Sequence, residues 1–232
     1  MIVFNGREFD DFGVIADNTQ IFERPVADYT EVKVPGRNGT LRISNDRYEN
    51  VNIPVECWIP RGFQNKFSAL CNFLQQDGEY HRFENSSEPD HYRMASASVD
   101  GAASYMWHKL GKFVVNFNCH PEKWLKSGEI TKTYTADATI YNPTLQAAKP
   151  MLRVYGHGSF SVGSQSFTLA EHKLPYVDID SDIQDAFYES TNCNGFLTLN
   201  SGYFPTLAPG MNGIQLGDGI EKIELTPRWF EL

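Results

Sequence analysis

The sequence has no apolar run longer than a few residues, no C-x-x-C pair, no Gly-x-Ser-x-Gly and no block of five like charges. The first absence excludes a transmembrane helix, which needs about 20 consecutive apolar residues. The second removes the usual zinc and redox spacings from Cys57, Cys71, Cys119 and Cys193, and none of the six histidines (His81, His91, His108, His120, His157, His172) completes a metal-ligand spacing with them. The third removes the nucleophile elbow. The fourth leaves no charged arm or tail. The opening Met1-Ile-Val-Phe-Asn-Gly6 has neither basic leader nor sustained apolar region, so it does not read as a secretory signal, and folding in a cytoplasm is expected. Basic charge is also scarce. Residues 1–132 carry 15 basic and 18 acidic side chains and residues 133–232 carry 5 and 11, for a net −9. Nucleic-acid binding relies on Lys and Arg displacing counterions from phosphate, so this balance argues against DNA or RNA recognition.

What is present is a chain of 232 residues, 41 % hydrophobic, with 16 Phe and 11 Tyr, enough for one large β-domain or two smaller ones. Val51, Ile53, Val55, Cys57 and Ile59 alternate strictly, which predicts a half-buried strand, with Pro54 at an edge or bulge because it lacks an N–H. Pro35-Gly-Arg-Asn-Gly39 is turn chemistry. Residues 40–50 are polar and long-sided and predict an exposed hairpin arm with no apolar face to bury in its own domain. Phe67, Leu70, Cys71 and Leu74 fall at i, i+3, i+4 and i+7, predicting an amphipathic helix over 63–76 with Gly78 suited to a left-handed C-cap. Residues 92–99 alternate again, and Phe113, Val115, Phe117 and Cys119 form another period-two face. One helix packed on a β-sandwich is expected for residues 1–130. Periodicity lapses around 126–134, where a boundary is placed.

Residues 131–232 are expected to form a second, jelly-roll-type β-sandwich of short strands. Phe160 and Val162 run through Gly163-Ser164 into Phe167 and Leu169 as a hairpin, followed by strands at 176–180, 186–188, 196–199 and 220–225. Pro205, Pro209-Gly210 and Asn212-Gly213 are expected to break the chain before the last of these. The fold class is therefore mainly β.

No constellation meets the needs of catalysis. Asp178, Asp180 and Asp182 with Glu189 mimic a calcium loop, but the sixth position, which must turn sharply on Gly, is Ile183. Gly156-His-Gly158 and Gly217-Asp-Gly219 do not lead a strand into a helix as a phosphate loop must. Tyr203 and Trp229 are the candidates for stacking on a sugar ring, although packing explains large aromatics as well. The four cysteines read as reduced thiols; Cys57, Cys71 and Cys119 fall on apolar phases. No enzyme, cofactor or metal site is expected.

Several stretches together resemble the distal tail protein (Dit) family of siphophages and prophages. They are Val34-Pro-Gly-Arg-Asn-Gly39, Tyr48 and the strand to Ile59, the helix at 63–76, Tyr92-Arg-Met-Ala95 and Gly111-Lys-Phe-Val-Val-Asn-Phe-Asn-Cys-His-Pro121. Asn142-Pro-Thr, Lys149-Pro150, Tyr176-Val-Asp-Ile-Asp180, Phe204-Pro-Thr-Leu-Ala-Pro-Gly-Met-Asn212 and Pro227-Arg-Trp229 continue the series. Their order and spacing over nearly the whole length carry the resemblance. It implies an N-terminal β-sandwich with one helix that closes a homo-hexameric ring, and a galectin-like C-terminal sandwich. It further implies a place at the virion tail tip, assembled in the bacterial host cytoplasm. There the ring would join the tail tube protein to a tail-tip hub of the tail-associated lysin type, and to receptor-binding proteins of the baseplate. Arg42, Arg47 and Tyr48 on the polar arm are the expected seam residues, since Arg and Tyr are enriched at interfaces. The competing expectation is a carbohydrate-binding module for a host cell-surface glycan, with Tyr203 and Trp229 in contact.

Overall fold

The computed structural model describes residues 1–17, 23–106 and 110–232, with backbone only for 100–106 and 110. The protein is mainly β and divides into two compact units, Met1–Lys123 together with Leu232, and Trp124–Glu231. No helix of the described residues is long and apolar enough to cross a membrane.

In the first unit seven strands form one continuous antiparallel path. Arg7–Glu8 pairs with Ile2–Phe4, then come His81–Asn85, His91–Met106, Leu110–Cys119, Val51–Ile59 and Ile15–Ala16. Alternation along Val51–Ile59 buries Val51, Val55, Cys57 and Ile59, and Leu110–Cys119 answers with Phe113, Val115, Phe117 and Cys119. No described strand pairs with Pro54 on the side away from Asn116, so its missing N–H costs no ladder bond there. The helix Phe63–Leu74 closes the core. Leu70 and Leu74 are buried as the spacing predicts, Phe67 is half-buried, and Phe63 and Phe73 also pack inward. Gly111 lies directly beneath the Phe63 ring, where a Cβ would stand 1.8 Å from it.

The helix ends earlier than the spacing suggests, and Gly78 is not its cap. Gln75 caps it at φ −110, its N–H bonding to the Cys71 carbonyl. Asp77 then takes over, accepting from the Glu79 N–H at 3.0 Å and contacting His81 at 2.9 Å. Gly78, at φ +73, serves that following turn.

The second unit is two sheets around one core. Six strands run in the order Lys132–Tyr134, Ile220–Thr226, Met151–Gly156, Val177–Asp180, Asp185–Tyr188 and Thr191–Asn192. Five more run in the order Ala138–Asn142, Gly210–Leu216, Gly158–Val162, Gln165–Leu169 and Leu197–Leu199. Leu152, Val154, Val177, Ile179, Ile223 and Leu225 from one sheet meet Ile140, Phe160, Val162, Phe167, Leu169 and Ile214 from the other. The polar stretch 126–134 lies inside this unit: a 3-10 turn at Lys126–Glu129, then a strand laddered against Ile223, Glu224 and Leu225.

Asn212-Gly213 does not break the chain; it lies within Gly210–Leu216. Asn212 points inward at 3 % exposure and donates to the Ala208 and Gly210 carbonyls at 2.8 and 3.0 Å. Its local bonding satisfies the preceding loop, the same chemistry that makes Asn a turn former elsewhere. Asn142 does likewise, donating to the Gln146 and Leu207 carbonyls.

Candidate functional site

The part of the first unit that its own core does not use is a two-stranded ribbon. Ala27–Lys33 pairs with Thr40–Tyr48, and among the described residues neither strand joins another sheet. Every residue of Thr40–Tyr48 is exposed. The turn between the strands holds Gly36 at φ +80 and Gly39 at φ +82, left-handed backbone that glycine adopts without steric cost.

Cross-strand partners share a face, so the register sorts the side chains. On one face Glu31 stands opposite Arg42, Tyr29 opposite Ser44 and Lys33 opposite Thr40. Here Arg42 Nε is 3.4 Å from Glu31 and its guanidinium lies 4.4 Å from the centre of the Tyr29 ring. On the other face Val32 stands opposite Leu41 and Thr30 opposite Ile43. Val32, Leu41 and Ile43 are 39 %, 40 % and 48 % exposed, and Val34 at the turn is 39 % exposed. The arm therefore does carry an apolar face, contrary to the sequence expectation. Leu41 and Ile43 look isolated among polar neighbours until Val32, from a strand nine residues earlier in the chain, is set beside them.

The expected seam residues are all on this ribbon. Arg47 Nε donates to Asp28 at 2.6 Å, and that bond, helped by Asn45, holds the Asp28 carboxyl below its ordinary range. Tyr48, 44 % exposed, stands opposite Ala27 beyond a bulge. Arg42 and Arg47 thus already have carboxylate partners within the ribbon, while Val32, Leu41 and Ile43 keep two-fifths to half of their surface exposed.

Elsewhere the polar clusters are turned inward on themselves. The three aspartates of the D-x-D-x-D stretch diverge to three cations. Arg153 forks onto Asp178 at 2.7 and 2.9 Å, Arg228 forks onto Asp180 at 2.7 and 2.9 Å, and Lys149 reaches Asp182 at 2.9 Å. An open cleft of about 240 Å³ beside them is lined by Thr131, Met151, Arg153, Asp178, Glu224 and Thr226. Its charges are spent on internal pairs, Glu224 on Lys222 at 2.6 Å among them. The described histidines do not converge, and His108 lies outside the described residues. Burial pushes the Cys57 and Cys119 thiols up to about 12, so both are held protonated. Tyr203 is 75 % exposed, whereas Trp229, at 4 %, is part of the second core and has no free ring face to offer a sugar.

The sequence matches no family model and no curated protein. Among solved structures it resembles the Dit protein of phage SPP1, described as a paradigm of the hub adsorption apparatus in phages that infect Gram-positive bacteria. The likeness has 13 % identity and a TM-score of 0.72, and covers 100 % of this chain and 98 % of that one. A chain of the phage p2 baseplate in its activated conformation with Sr aligns at 8 % identity over 87 % and 86 % of the two chains. Its TM-score of 0.43 is too low to bear on the fold. Over its whole length, and through both units, this chain has the fold of the SPP1 Dit protein.

Proposed function

We propose that this protein is a structural, non-enzymatic subunit of a phage tail tip, and that it closes a ring with copies of itself through the ribbon of its first unit. The observation that carries this reading is the ribbon's uncovered apolar face. A lone two-stranded hairpin is at best marginal in water and needs packing on a third element. Here no other described strand pairs with the ribbon, and Val32, Leu41 and Ile43 stay 39–48 % exposed. A second copy would, and head-to-tail contacts between identical subunits close a ring when the rotation permits. Val32, Leu41 and Ile43 would form the seam's centre, with Arg47 and Tyr48 at its polar rim and Arg42 on the ribbon's opposite face, bound to Glu31. The shared fold with a hub protein supports a ring of six joining the tail tube to the tail-tip hub and receptor-binding proteins. The net negative charge suits a conduit that must not hold DNA.

Light scattering after size exclusion, with negative-stain imaging at high protein concentration, tests this directly. Rings are expected, and Leu41→Asp with Ile43→Asp should leave a folded monomer. Rings that persist in that double variant would place the seam elsewhere. A chain that stays monomeric at every concentration, and binds immobilised glycan through Tyr203, would be the binding module instead.

A further inference from the structure

The second unit is fastened by its own last residues. The Leu125 N–H donates to the Trp229 carbonyl at 2.9 Å, and the Arg228 N–H donates to the Gly128 carbonyl at 2.8 Å. Trp229 drops into the core, and the Phe230 ring stands 5.4 Å from Trp124. The backbones are so close that a Cβ on Gly128 would stand 2.3 Å from the Trp229 nitrogen. The first and last segments of the unit therefore lie side by side.

The last two strands of the unit are not held alike. Ile220–Thr226 is laddered on both sides, by Lys132–Tyr134 and by Met151–Gly156. Beyond it, Phe230–Glu231 is a strand of two residues, laddered on one side by Lys123–Leu125. Between them Arg228 holds φ +58, a left-handed conformation that costs a side-chain-bearing residue free energy and persists only when its surroundings impose it. The restraint is its own guanidinium, forked onto both oxygens of Asp180, which is 8 % exposed. Asp180 is positioned in turn by the Asp182 N–H at 2.9 Å, and Asp182 by Lys149.

We propose that residues 228–231 are a latch that opens as a local unit. The Arg228–Asp180 fork sets how often it opens, and opening uncovers the Trp229 slot and the Leu125 N–H while both sheets stay folded. Strain at Arg228 favours release, the fork opposes it, and the doubly laddered strand before it stops the opening from spreading. Proteins open locally in such contiguous cooperative pieces at free energies below that of global unfolding.

Amide hydrogen exchange of the full chain, read residue by residue, tests the latch. Asp180→Asn should speed exchange at Leu125 and Arg228 by about ten- to a hundred-fold, the loss of a charge-assisted bond, with exchange along Met151–Gly156 unchanged. Tryptophan emission should shift to the red in the same variant. Arg228→Gly, which removes the fork but also the strain, should speed the same amides less. It also serves as the readout if the Asp180 variant does not fold. Equal acceleration along Met151–Gly156 would mean that the end opens only with the whole unit. No acceleration at Leu125 would mean that the fork is not what holds it. Either result overturns the proposal.

Discussion

Two hairpins of this chain are built from similar local chemistry and end differently. Gly158–Val162 turns through Gly163, at φ +61, into Gln165–Leu169, and its apolar stripe of Phe160, Val162, Phe167 and Leu169 is at most 3 % exposed. The ribbon turns through Gly36 and Gly39, and its stripe of Val32, Leu41 and Ile43 is left 39–48 % exposed. Alternation and turn residues produce both hairpins; neither decides what lies across from the stripe. The buried hairpin is paired on both flanks, by Gly210–Leu216 and Leu197–Leu199, and faced by a second sheet. Among the described residues the ribbon's strands pair only with each other. The comparison teaches that the same local chemistry leaves an apolar stripe buried or exposed according to what tertiary structure sets against it.

Substitutions should separate the two hairpins by size of effect. Phe167→Ala removes a fully buried ring stacked on Phe160 at 5.2 Å and should cost about 3–5 kcal/mol in denaturant unfolding of the second unit. A cost near zero would mean that this hairpin is no better packed than the ribbon.

The glycines sharpen the contrast. Gly158 holds φ +137, and a Cβ there would stand 2.2 Å from the Asp218 carbonyl oxygen, so Gly158→Ala meets both strain and backbone collision. It should cost about 2 kcal/mol or more. Gly39 holds φ +82 with open space around it, and Gly39→Ala should cost only the backbone strain, about 1 kcal/mol. Thermal unfolding of the pair, measured side by side, checks the order.

The smallest effect is expected at Ile43. In the isolated chain at low concentration Ile43→Ala should change stability by less than about 0.5 kcal/mol, as for an ordinary surface site. The same substitution should weaken self-association at high concentration. A large loss of stability in the monomer would show the ribbon already covered within its own chain.

Much of this molecule follows from its sequence alone. Period-two burial of Val51, Val55, Cys57 and Ile59 is dictated by the strand's geometry, and the burial of Leu70 and Leu74 by the helix's, because both repeats act over a few residues. The exposed arm and its Gly-rich turn were legible for the same reason. The ribbon's apolar face was not, since it exists only when register sets Val32 opposite Leu41. Asn212 reads as a turn residue, and only the surrounding Ala208 and Gly210 carbonyls let it sit buried in a strand. The aspartates at 178, 180 and 182 look like one metal loop, yet three separately placed cations each claim one of them. Arg153, Arg228 and Lys149 come from other strands, loops and the chain's end, and distances of that kind are set by tertiary structure because no local repeat encodes them.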